Sequence, residues 1–133
     1  MIKLMLHEKQ NVRQIPGEPL RRWFADDYFE LIVWFSPSQE IEAFELSYEV
    51  QGDWQAIKWS PLKGCHHYQI DAGEGRAYKP QAVPTLQLDS NFSKAEMRAI
   101  YQKFQAASQG IDSDIARFVA QQILRYDPHP VKW

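Results

Sequence analysis

The feature that most restricts the fold is a series of apolar segments separated by very short turns. "YFELIVWFS" (Tyr28–Ser36), "IEAFELSYEV" (Ile41–Val50), "WQAIKWS" (Trp54–Ser60) and "CHHYQID" (Cys65–Asp71) are joined by "PSQE", "QGD" and "PLKG". The first segment is rich in aromatic and β-branched residues, too short and too apolar for a surface helix. The second alternates, with Phe44, Leu46, Tyr48 and Val50 on one face. Connections this short join neighbouring strands, so the segments predict an antiparallel meander. "LRRWF" (Leu20–Phe24) adds a strand through Ala25-Asp26-Asp27, and Ile2–Leu6 is expected to add to an edge. The sheet region therefore spans residues 1–71 with about five strands.

The last third reads as helix. Ser93 with Glu96 three residues on forms a capping box, and Phe92 with Met97 a hydrophobic staple. Met97, Ile100, Tyr101 and Phe104 follow at helical spacing, and Gly110 is expected to cap the end. Asp112 or Ser113 starts a second helix with Ile115, Phe118, Val119, Ile123 and Leu124 on one face, stopped by Pro128 and Pro130. The short loop between them makes an antiparallel hairpin over residues 93–127. The expected fold class is α+β, a meander sheet with a C-terminal pair of helices packed on one face. Residues 72–92 form a long connector in which "TLQL" is a candidate short strand, and 128–133 form a tail. At 133 residues the whole is one domain.

Charge and composition exclude several function classes. Fifteen Lys and Arg against seventeen Asp and Glu give a net charge of −2, so no basic surface for nucleic acid is expected. A lone Cys65 excludes an internal disulfide scaffold. "MIKLMLHEKQ" is too short an apolar run for a secretory signal, and no stretch is long enough for a membrane span. The expectation is a cytoplasmic protein without membrane contact. A domain of this size needs no metal to fold, and no cofactor is expected.

Chemistry is concentrated in "KGCHHYQIDAGEG" (Lys63–Gly75). Strand alternation puts His66 with Tyr68 and Ile70, and His67 with Cys65, Gln69 and Asp71. A catalytic reading takes His67, Asp71 and Glu74, and a metal reading takes His67 and Asp71 with Cys65. Along a straight strand His67 and Asp71 stand about 13 Å apart, so either reading needs a bend at Ala72-Gly73. Zinc spacings such as paired C-x-x-C or H-E-x-x-H are absent. The simpler reading is one exposed histidine and one hydrogen-bonded in the sheet. A Cys65–His67 nucleophile pair is weighed against a small buried thiol, which is the commoner role. "GEGR" (Gly73–Arg76) lacks the lysine of a phosphate loop and reads as a turn.

The sheet faces offer a second candidate. If Phe29, Leu31, Val33 and Phe35 face the helices, the other face combines Trp34 and Tyr28 with Glu30, Glu45 and Glu49. Lys58, Arg21 or Arg22 and a histidine are its basic partners. Its two readings are a solvated face laced with ion pairs and a shallow aromatic and acidic groove for a small cationic or polar ligand or a second subunit, with Glu30, Trp34, Glu45, Glu49 and Lys58 as ligand-binding candidates.

The run "RRWFADDYFELIVWF", with "FELSYE" and "HHYQIDAGEG" after it, resembles a family of small bacterial proteins with no assigned activity. The likeness covers Arg21 to Glu74 and implies a free-standing bacterial domain, while carrying over no site residue. Cys65 before the histidine pair departs from the pattern. The expected function is a non-catalytic binding or protein-interaction domain with a protein or small-molecule partner. The tail contains His129 and ends on Trp133, a terminal aromatic after two prolines that points to a homodimer. The alternative is a small hydrolase-type enzyme, metal-dependent or not, built on His67, Asp71 and Glu74.

Overall fold

The turn at Gln51-Gly52 illustrates how the meander closes. Both residues have positive φ, 51° and 87°, the geometry of a two-residue hairpin loop whose twist matches the strands it joins. In the computed structural model, which describes residues 5–71, 85–89 and 91–128, this hairpin is one of a continuous series. The strands are β1 (His7–Glu8), β2 (Leu20–Ala25), β3 (Phe29–Phe35), β4 (Ile41–Val50), β5 (Asp53–Ser60), β6 (Gly64–Asp71) and β7 (Thr85–Leu88). They lie in sequence order in one sheet, every neighbouring pair antiparallel.

The α+β meander followed by two helices is thus as expected, with more strands than five. "TLQL" is a true strand, pairing Tyr68 with Leu88 and Asp71 with Thr85. Among the described residues the N-terminal edge strand is His7–Glu8, only two residues long. Leu6 cannot join it, because its N–H donates to the Ala107 carbonyl at 2.8 Å. Residues 2–4 of the expected strand lie outside the described residues.

The helices are α1 (Lys94–Ala107) and α2 (Ser113–Leu124). Both halves of the capping box are present: the Ser93 hydroxyl accepts from Glu96 N at 3.0 Å, and Ser93 N donates to Glu96 at 3.1 Å. Asp112 caps α2 by accepting from Asp114 N. Gly110 is not the cap of α1. The helix passes into a 3-10 turn, Ser108–Gly110, and its cap is Ser108, whose N–H returns to the Phe104 carbonyl.

One sheet face carries Phe24, Phe29, Leu31, Val33, Phe44, Leu46, Tyr48 and Ile57, all buried. Met97, Ile100, Phe104, Ile115, Val119 and Ile123 of the helices complete the same core. Each such side chain stabilises the fold by about 1.5–3 kcal/mol through removal from water. Val50 and Leu124 were expected in this set and are exposed, because each is the last residue of its element. Tyr28 also departs from expectation. It precedes β3, in a turn held by the Asp26 carboxylate, which accepts from Tyr28 N and Phe29 N. Strand alternation therefore does not govern it; its ring stacks on Tyr48, under Lys103 of α1. Among the described residues no helix is long and apolar enough to cross a membrane.

Candidate functional site

Two places merit consideration, one on each side of the sheet. On the helix side, register carries His67 to the centre: it pairs with Ile57, which pairs with Leu46. The ring is 1% exposed. Its Nε2 lies 2.6 Å from the Tyr48 hydroxyl, and its Nδ1 lies 3.2 Å from Asp89 Oδ2. Phe92 stacks flat against the imidazole, with centroids 3.5 Å apart and planes 4° from parallel. The surrounding backbone closes the arrangement. Asp89 N donates to the His67 carbonyl at 2.9 Å, and the Tyr126 hydroxyl donates to the Phe92 carbonyl at 2.7 Å.

Burial lowers the His67 pKa from its ordinary value, outweighing the attraction of Asp89. The imidazole is therefore neutral at pH 7, with Nδ1–H donating to Asp89 and Nε2 accepting from Tyr48. Carboxylate, imidazole and hydroxyl in series have the connectivity of a nucleophile relay. The terminal hydroxyl, however, belongs to a buried tyrosine whose pKa is raised further by desolvation. A phenol held that firmly in its protonated form, with no access to solvent, is not a nucleophile. The chain of bonds instead fastens β4, β6 and the entry to α1 to one another.

The partners of His67 thus differ from those expected. Asp89 occupies the place assigned to Asp71, which sits four residues along β6 opposite Thr85. Glu74 and the "GEGR" turn lie outside the described residues, as do His129 and Trp133. Cys65 is half-buried and its thiol is pushed up to about 12 by burial, so no thiolate is available to pair with a histidine. Among the described residues no three His, Cys, Asp or Glu side chains converge as a metal site.

The other face is covered by no described element. Alternation and register place Trp23 of β2, Ile32 and Trp34 of β3, Trp54 of β5 and Tyr68 of β6 there, all half-buried. Ser47 and Ala56, small residues at its centre, are 6% and 0% exposed between these larger neighbours. All five proposed ligand residues lie on it. Glu30 meets Lys9 at 3.9 Å, Glu45 meets Lys58 at 3.8 Å, and Glu49 is exposed. Burial raises the Glu45 pKa against the opposing pull of Lys58. Arg21 approaches the Trp23 ring here, whereas Arg22 is on the helix side, bonded to Glu8 through two nitrogens and reaching Asp112.

Of the expected ligand residues, Trp34 and Lys58 come together, lining a cavity of about 350 Å³. Lys63, His66 and Tyr68 join them and were not anticipated as ligand residues. Alternation already put His66 and Tyr68 on one face; what was lacking was the register that brings β6 beside β5. No protein family, curated protein or solved structure matches the chain.

Proposed function

We propose that the chain is a small non-catalytic binding domain whose helix-free sheet face takes up a small-molecule ligand. The observation that carries this reading is the contrast between the two faces. On the helix side, His67 has both ring nitrogens engaged and is sealed from solvent. On the other side, Trp34 and Tyr68 stay half-exposed and line a hollow of about 350 Å³, near the lower end of the usual size range for ligand pockets. Aromatic side chains left in partial contact with water, next to a few fixed polar groups, are what a ligand surface requires.

The test is a thermal-shift screen of small molecules against the full chain, with hits mapped by backbone amide chemical shifts. Hits should perturb β3, β5 and β6 at the residues of the helix-free face. Hits that map to the His67 side, or a turnover reaction abolished by His67→Gln, would overturn the proposal.

A further inference from the structure

The cavity on the helix-free face has a composition that goes beyond a generic apolar hollow. Its floor is made by small residues: Ala43 on β4, Ser60 on β5 and Gly64 at the start of β6. Phe44 and Trp59 also border it, but their rings stack with each other and with Phe118 on the helix side, so they contribute backbone. Trp34 and Tyr68 supply aromatic side chains to the lining, with Trp34 paired directly to Ala43. A hollow therefore exists where residues without bulk lie beside large aromatic ones.

The polar groups at this hollow are cationic or hydrogen-bonding. Lys58, Lys63 and His66 line it, and no acidic side chain among the described residues does. Lys58 also pairs with Glu45 at 3.8 Å, outside the lining. Lys63 forms no ion pair among the described residues, and its backbone N–H is fixed by the Ser60 hydroxyl at 3.3 Å. His66 donates from Nδ1 to the Cys65 carbonyl at 3.1 Å, so in the neutral ring its Nε2 is a hydrogen-bond acceptor. Two ammonium groups beside aromatic walls suit a carboxylate attached to a flat, conjugated body: the lysines attract the charge and the rings cover the apolar part.

Resting on the binding reading above, we infer that this cavity binds a planar organic anion, an aromatic or conjugated carboxylate. The carboxylate is held by Lys58 and Lys63, and the planar body lies against Trp34 over the small residues. A neutral molecule of the same shape loses the charge contacts, and an inorganic anion loses the aromatic ones.

The experiment is an amide and indole chemical-shift titration of the full chain with benzoate, benzamide and sulfate as probes. Benzoate should shift the Trp34 indole and the amides of residues 58–66, and benzamide should bind about tenfold more weakly. Lys63→Met changes one exposed side chain at a turn, so the fold persists; it should weaken benzoate binding and leave benzamide binding unaltered. Equal binding of benzamide at the same residues would overturn the anion assignment while the face remains a binding surface. Sulfate binding as well as benzoate would overturn the planar requirement. If none of the three probes perturbs this face, the assignment fails; if they perturb the helix side instead, the binding reading fails with it.

Discussion

Tyr48, His67 and Asp89 show how much a single buried side chain can hold in place. Tyr48→Phe removes one hydroxyl and leaves His67 Nε2 without its partner, so a loss of about 1–2 kcal/mol is expected in urea unfolding. His67→Ala also strips the ring from Phe92 and leaves Asp89 without its imidazole, and should cost about 3 kcal/mol. The same residue sets a pH dependence. Its folded pKa lies below the ordinary 6.5, so the unfolded chain takes up a proton that the folded chain resists. That contribution is complete above 6.5 and is lost as pH falls from there toward the folded value. Urea midpoints measured across this window should fall with decreasing pH, and His67→Gln should flatten the slope; an equal slope in the variant would remove His67 as its source. The sequence made one half of this arrangement legible. Alternation separated His66 from His67 and left one of them for the sheet interior. It could not name Asp89, twenty-two residues away, because that pairing depends on where β7 and the following turn are laid down.

At the scale of elements, the strongest local signals were capping and turn chemistry, and they translated directly into structure. Ser93→Ala should destabilise α1 by about 1 kcal/mol, since the hydroxyl is the acceptor for Glu96 N. Gln51 holds a left-handed conformation, φ 51°, that asparagine adopts more readily. Gln51→Asn is therefore expected to stabilise the β4–β5 hairpin by about 0.5 kcal/mol, read as a rise in Tm. A fall in Tm would show that the glutamine side chain has a role of its own. Signals that rested on a single residue were weaker guides. Gly110 looked like a helix cap, but the helix gave way to a 3-10 turn at Ser108. Leu124 fell on the apolar stripe by spacing, yet α2 ends there and leaves it in solvent. Periodicity describes an infinite helix, whereas burial ends where the neighbouring surface ends.

For the whole molecule, the decisive fact is that the two helices cover one face of the sheet. The apolar alternation of β3 and β4 announced two distinct faces before any register was known. Which residues of the uncovered face meet was not legible, because Trp34, Lys58 and His66 lie on three strands joined only by the accumulated register of the meander. The account assigns stability to the sealed face and binding to the open one, so the two should respond independently to substitution. The most direct test is the benzoate affinity of Trp34→Ala and Tyr48→Phe, each confirmed as folded by circular dichroism. Binding should be lost in Trp34→Ala and unchanged in Tyr48→Phe, even though the latter is the less stable protein. Binding retained in Trp34→Ala, or lost in Tyr48→Phe, would contradict the assignment of function to the helix-free face.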